Sequence, residues 1–175
     1  MRIIITGSPG TGKSTLCAML AKKLGLDIID LKKHILAHKL SKRGEVELKK
    51  LSHSLRSLKT RESFILEGHL ACEILIPADI IFVLRTNPKV LERRLKKRGY
   101  SKNKISENTM AEMLDYCTQR TMLVYGKKPL ELETSGRSAS VCIKIMESAI
   151  KQKKKKIDLV DYSVYLKAHL GVDSL

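Results

Sequence analysis

The stretch Gly7-Ser8-Pro9-Gly10-Thr11-Gly12-Lys13-Ser14-Thr15 constrains the fold more than any other part of the chain. It fits the pattern G-x-x-x-x-G-K-S/T in full. Arg2–Thr6 before it is a short aliphatic run that reads as a buried strand. Lys13–Leu24 after it places Leu16, Met19, Leu20 and Leu24 on one helical face. Strand, glycine-rich loop and helix in that order curl the backbone so that several N–H groups and a helix N-terminus converge, which makes a seat for a polyanion. In such a loop Gly7, Pro9, Gly10, Thr11 and Gly12 shape the cradle. Lys13 reaches the β- and γ-phosphates of a nucleoside triphosphate, the Ser14 hydroxyl ligates Mg2+, and Thr15 meets the α-phosphate. The competing reading is a chance glycine-rich turn, and the matching strand and helix argue against it.

The rest of the chain alternates strands and helices. Leu26–Ile29 predicts a second strand, and Asp30–Lys59 a Lys/Arg-rich helical stretch broken near Ser41–Gly44. Ser63–Leu66 and Ile80–Leu84 read as further strands. Pro88 suits the first position of a helix that runs to about Lys97 and stops at Gly99. Residues 100–104 read as a polar connection, followed by one long helix over Ile105–Tyr125 with Ser106 as its cap. Leu130–Glu133 supplies a fifth strand, Ser138–Lys151 an amphipathic helix, and Ile157–Leu170 a tail that packs back. This predicts an α/β fold, a single P-loop domain over 1–175 with a mostly parallel five-stranded sheet flanked by helices. With two Phe and no Trp, its core has to be aliphatic.

The charge is unusual: 34 Lys and Arg against 18 Asp and Glu give a formal net charge of +16. Such a field attracts polyanions, RNA among them, although solvated basic helix faces produce it too. Cys17, Cys72, Cys117 and Cys142 are scattered, which suggests reduced thiols in an intracellular compartment rather than a zinc site or disulfide framework. The opening residues do not read as a signal peptide, and no stretch suits a bilayer span.

Two features favour phosphoryl transfer over a nucleotide switch. No base-reading Asn-Lys-x-Asp is present, because Asn103-Lys104 continues as Ile-Ser. Arg94 and Arg98 lie four apart on one helical face, where planar guanidiniums can grip transferring phosphates; a solvated basic face is the alternative. Glu67-Gly68-His69 follows an apolar run, where α/β sheets place functional loops. Glu67 can hold a Mg2+ shell through water and His69 can orient a water or a phosphate, although a plain strand end also fits. His34 and His38 are four apart but lack a third ligand.

Several segments together resemble the small adenylate-kinase-like ATPases of archaea and eukaryotic nuclei, the family of the coilin-interacting nuclear ATPase, which acts in small-ribosomal-subunit maturation. They are Ile5–Ser14, Glu67-Gly68-His69, Phe82–Pro88, Leu91 with Arg94-Leu95, Arg98–Ser101 with Lys104, Glu107-Asn108, Glu133–Gly136 and Lys156-Ile157-Asp158. The resemblance implies a compact adenylate-kinase fold with a monophosphate-binding insertion over about 30–60, a short lid over about 98–105 and a C-terminal tail over 157–175. It implies ATP and Mg2+, AMP or a similar monophosphate as acceptor, ATP hydrolysis, and a small-subunit ribosomal protein and rRNA as partners. Localisation would be cytoplasmic in an archaeal cell and nuclear in a eukaryotic one. In this family Glu67 and His69 match residues that matter for hydrolysis. Arg94 and Arg98 match the lid arginines, with Lys13 as the loop lysine, and Ser135 and Gly136 fall in the Thr134–Gly136 turn, which matches the loop beside the adenine. Lys33 stands where the family usually has an arginine, Arg120-Thr121 replaces a Glu-Ala pair, and Leu159 replaces a Trp. A ribosome-assembly ATPase with little kinase activity and a small-molecule kinase of the shikimate or cytidylate type are the alternatives.

Overall fold

The computed structural model describes residues 1–42 and 44–172, so Arg43 of the expected insertion and the last three residues of the expected tail lie outside the described residues. In chain order the elements are β1 (Arg2–Thr6), α1 (Lys13–Leu24), β2 (Ile28–Asp30), α2 (Leu31–Ala37), β3 (Ser41–Lys42), β4 (Glu45–Val46) and α3 (Leu48–Ser54). They continue with β5 (Phe64–Glu67), β6 (Ile80–Arg85), α4 (Pro88–Lys97), α5 (Lys102–Met113), α6 (Tyr116–Tyr125), β7 (Leu130–Glu133), α7 (Ala139–Lys151) and α8 (Ser163–Leu170). Short 3-10 turns occupy Arg56–Lys59 and His69–Cys72.

Five strands form one parallel sheet in the order β2-β5-β1-β6-β7. Alternation along β1 builds a core on each face. Ile3 and Ile5 join Leu16 and Leu20 of α1, Phe82 and Leu84 of β6, and Ile143 and Met146 of α7. Ile4 points the other way and joins Leu31, Leu51, Leu55, Phe64 and Leu66. From central β1 the chain goes first to β2 and β5 on one side, then to β6 and β7 on the other. The loop after β1 therefore opens at a topological switch point, where open α/β sheets bind ligands.

Three local expectations change. The break near Ser41–Gly44 is an antiparallel hairpin, Ser41 pairing with Val46 and Lys42 with Glu45, and Gly44 takes a left-handed φ of 85° that ends helical propagation. The helix expected over Ile105–Tyr125 is two helices, α5 and α6. They part at Asp115, whose φ of 53° breaks the helical path and whose carboxylate pairs with Arg85. Ser106 lies inside α5 and caps nothing; Ser101 does so, accepting from the Lys104 amide at 3.4 Å, so the polar connection closes three residues early. The tail packs back as expected, with Val160 and Tyr162 buried against Met113.

Candidate active site

The loop from Gly7 to Thr15 lies between two cavities. Its close seating follows from missing side chains: a Cβ on Gly7 would lie 2.4 Å from the Leu84 carbonyl oxygen of β6. Lys13 is buried and donates to the carbonyls of Gly7, at 2.9 Å, and Ser8, at 3.0 Å. Burial lowers its pKa, while Cys117, Glu67 and Glu112 pull the other way.

The larger cavity, of about 550 Å3, is a cleft on the β5 side of the loop. Pro9, Gly10, Gly12, Lys13, Ser14 and Thr15 line it together with Glu67 and His69. Ser14 Oγ donates to Glu67 Oε1 at 3.4 Å. Glu67 ends β5 nearly out of water, and this burial raises its pKa, with Lys13 opposing. His69 faces the open cleft but sits among its walls, and that partial desolvation lowers its imidazole pKa; Lys13 and Lys32 lower it further. Arg98 reaches the cleft from the end of α4, and Lys104 from α5.

The smaller cavity, of about 180 Å3, lies on the other side of the loop against α7. Gly10, Thr11, Gly12, Arg94, Arg98 and Thr134 line it, with Arg137 and Cys142 beyond. Arg98 thus borders both cavities, whereas Arg94 borders only the smaller one. Arg94 Nη1 donates to the Gly10 carbonyl and to Thr134 Oγ1, both at 3.3 Å, and Nη2 to the Thr134 carbonyl at 3.3 Å. The two arginines share a helical side, but Arg94 braces the loop from beneath rather than reaching into the cleft.

Ser135 and Gly136 lie beside the smaller cavity without lining it. Ser135 Oγ is occupied in accepting from the Asn87 amide at 2.7 Å. Gly7 is likewise outside both linings. Sequence reading missed Lys32 and Asp30 in the cleft and Arg137 and Cys142 in the smaller cavity, which Thr134 of the expected turn also lines. Lys33, singled out from sequence, lines a recess of about 400 Å3 behind Ser14 and Glu67, with Cys17 and Ile28; its neighbour Lys32 lines the cleft. The signal was available in the buried Leu31 that opens α2, because it fixes which neighbour can face the cleft.

Beneath the loop lies a buried charge cluster that composition does not reveal. Arg85 is 1% exposed, and its guanidinium pairs with Glu112, Asp115 and Glu131. Burial works against its charge, but the carboxylates outweigh that and hold its pKa above the usual value. Glu112 also accepts from Ser8 Oγ at 2.5 Å and from the Thr86 amide at 3.0 Å, which ties the loop to α5 and β6. Such an arrangement supplies donors and positive charge on both sides of a polyphosphate and a carboxylate, that of Glu67, opposite them, the requirements of phosphoryl transfer.

Known proteins resemble this chain in sequence and in fold. A family model described as an AAA domain matches residues 3–115. A protein of Methanocaldococcus jannaschii named "Putative adenylate kinase" is 34% identical over 171 residues, 93% of each chain. One of the same name from Thermococcus onnurineus is 32% identical over 168 residues, covering 93% of this chain and 92% of the relative. Among solved structures, the shikimate kinase of Acinetobacter baumannii in complex with shikimate superposes with a TM-score of 0.68 at 20% identity, over 87% of this chain and 94% of that one. The deoxyadenosine kinase of M. mycoides with bound dATP gives 0.60 at 21%, over 86% and 100%. At those identities the structures speak for the fold alone. Among the described residues no helix is long and apolar enough to cross a membrane. The chain belongs to the AAA-domain family of phosphate-loop kinases, nucleotide-binding phosphotransferases, alongside these archaeal relatives.

Proposed function

We propose that the protein transfers the γ-phosphoryl group of ATP to AMP or a similar nucleoside monophosphate, and hydrolyses ATP slowly when no acceptor is bound. The observation that carries this reading is the pair of cavities across one phosphate loop, bridged by Arg98. The smaller cavity suits the donor nucleoside, and the cleft, with Lys13, Lys32, Arg98 and Lys104, suits the phosphates and the acceptor. In the reaction the acceptor phosphate oxygen attacks the γ-phosphorus, the bond to the β-phosphate oxygen breaks, and two nucleoside diphosphates leave. Lys13 and Arg98 stabilise the charge on the transferring group, and Arg94 fixes the loop that positions it. The hydroxyl of Ser14 and the carboxylate of Glu67 are hard oxygen donors, 3.4 Å apart, and fit Mg2+ completed by phosphate oxygens and water. When bound, Mg2+ neutralises charge on the phosphates. His69, held neutral near pH 7, can orient water for the slower hydrolysis. The archaeal relatives' shared name supports adenylate as acceptor. Segments 30–60 and 98–105 would serve as the monophosphate-binding flank and the lid.

Coupled assays of purified protein with ATP and each monophosphate test the reading. ADP formation should rise with acceptor; no acceptor-dependent ADP from any monophosphate overturns it. The net charge of +16 favours a second reading, in which nucleotide turnover governs association with a small-subunit ribosomal protein or rRNA. Hydrolysis stimulated by such a partner yet indifferent to AMP would favour it, and absence of salt-sensitive association would exclude it.

A further inference from the structure

The four cysteines, scattered in the sequence, divide in the fold into two isolated thiols and one pair. Cys17 of α1 and Cys142 of α7 sit in the aliphatic core, where burial pushes both thiols up, Cys17 to about 12. Such thiols are poor nucleophiles. Cys72 and Cys117 instead form a small cluster of their own with Val83, where the turn His69–Cys72 packs on α6. There the Cys117 S–H donates to Cys72 Sγ.

The surroundings of this pair are those of a reactive thiol. The hydrogen bond from Cys117 lowers the Cys72 pKa, with burial and Glu73 opposing. Donating that bond raises the Cys117 thiol, as do burial and Glu112, while the Lys13 ammonium attracts its ionised form. Once one proton leaves, the remaining S–H stabilises the thiolate, so the pair ionises more readily than an isolated buried thiol. The pair is also within reach. Cys117 lines a side chamber of about 460 Å3 that shares Pro9 and His69 with the cleft, wide enough for a small neutral solute. On its other side the pair is tied to the site. Cys72 Sγ donates to the His69 carbonyl at 3.1 Å, and Thr6 Oγ1 donates to the same carbonyl at 3.3 Å.

We propose that Cys72 and Cys117 are a modification site, a dithiol that a hydroperoxide closes to a disulfide and a thiol reductant reopens, and that the closed form slows turnover at the phosphate loop. The thiolate sulfur attacks one peroxide oxygen, the O–O bond breaks, and the leaving hydroxide takes up a proton as water. The second thiol then attacks the sulfenic sulfur and displaces its hydroxyl as water. With hydrogen peroxide, two thiols and one peroxide give one disulfide and two waters; sulfur is oxidised and peroxide oxygen reduced. A covalent bond of about 2.05 Å replaces a hydrogen-bonded contact, so the turn and α6 draw together. The His69 carbonyl loses its Cys72 donor, and the turn that carries His69 shifts against Thr6, the residue directly before the loop. The proposal is independent of which acceptor the enzyme uses.

The test treats the full-length, reduced protein with hydrogen peroxide and follows its mass, its thiols and its turnover of ATP. The expected product is a single chain lighter by two hydrogens. Peptide mapping should place its disulfide at Cys72–Cys117, with Cys17 and Cys142 still open to alkylation after unfolding. Turnover should fall by about tenfold or more, the scale of a small misplacement of catalytic groups, and dithiothreitol should restore it. In Cys117→Ser the loss of two hydrogens should give way to oxygen addition at Cys72. No disulfide in the wild type, a disulfide elsewhere, or the same loss in Cys117→Ser overturns the site. If Cys117→Ser fails to fold, the wild-type peptide map decides alone. A Cys72–Cys117 disulfide with unchanged turnover, or a fall that dithiothreitol does not reverse, overturns its effect on the loop. If the reduced protein turns over no ATP, the proposed function fails, and equilibrium binding of ATP to the two forms decides the effect. Weaker binding to the oxidised form upholds it; equal binding overturns it.

Discussion

The floor beneath the phosphate loop and the flank formed by residues 31–59 are both rich in charge, but they use it in opposite ways. In the floor, Arg85, Glu112 and Glu131 are buried and pair with one another, and no buried side-chain polar atom among the described residues lacks a hydrogen-bond partner. On the flank, short helices and a two-residue hairpin are anchored by a few apolar side chains, Leu31, Ile35, Leu51 and Leu55, while the lysines stand in water. Charges without water have no partners but each other, so the floor admits one arrangement and fixes the loop above it. Charges left in water can meet an incoming anion, and an element with few buried contacts opens at low cost. The floor is preorganised and the flank adaptable.

Arg85→Ala is the most direct way to break this contrast. It strands the carboxylates of Glu112 and Glu131 in a low dielectric and leaves the partly exposed Asp115 without its partner, for which about 3–5 kcal/mol of lost stability is expected. Urea unfolding should show the shift as a lower midpoint. Lys13→Ala should instead leave the midpoint nearly unchanged, because it removes a charge whose burial disfavours it. Both transfer and hydrolysis should fall by about 100- to 1000-fold. Retained turnover would place catalysis elsewhere.

A pH profile separates the site from the fold at Glu67. Burial raises its pKa, so the carboxylate takes up a proton at higher pH than an exposed glutamate would. Turnover should therefore fall on acidification while the pH is still above the usual carboxylate range. The sign for stability is opposite: a raised folded pKa means that the folded state favours the protonated form. This group's contribution is then largest at low pH and is lost as pH rises through the folded pKa. Activity should fail before the melting temperature does. Glu67→Gln should abolish that acid limb and slow turnover by about tenfold or more; a limb that persists assigns it to another group.

Much of the phosphate loop and its setting was legible in the sequence because local rules govern it: a strand, a loop with glycine where backbone must approach backbone, and a helix. Glu67 and His69 were legible for the same reason, being at a strand end. The floor was not, because Arg85, Glu112, Asp115 and Glu131 are far apart in the chain and each alone reads as a surface residue. The same cluster explains the split between α5 and α6, since Asp115 leaves helical geometry where it meets Arg85. Ser135 and Gly136 lie in the turn between two residues of the cavity wall, Thr134 and Arg137, because the Ser135 hydroxyl is taken up by the Asn87 amide.

The flank supplies the smallest effect and the finest test. Lys32 and Lys33 are adjacent, both exposed, and of one type, so composition and net charge cannot tell them apart. Asp30 caps α2 by accepting from the Lys33 amide at 3.0 Å, and buried Leu31 sets the rotation of the helix. That rotation sends Lys32 to the cleft and Lys33 to the recess behind Ser14. If Lys32 meets the acceptor phosphate, Lys32→Ala should raise the acceptor KM by about five- to tenfold, the scale of one charge-assisted hydrogen bond, with little change in kcat. Lys33→Ala should stay within about twofold. Equal effects would reduce both lysines to long-range attraction, which added salt would then erase. Inverted effects would mean that α2 turns about its axis when the acceptor binds.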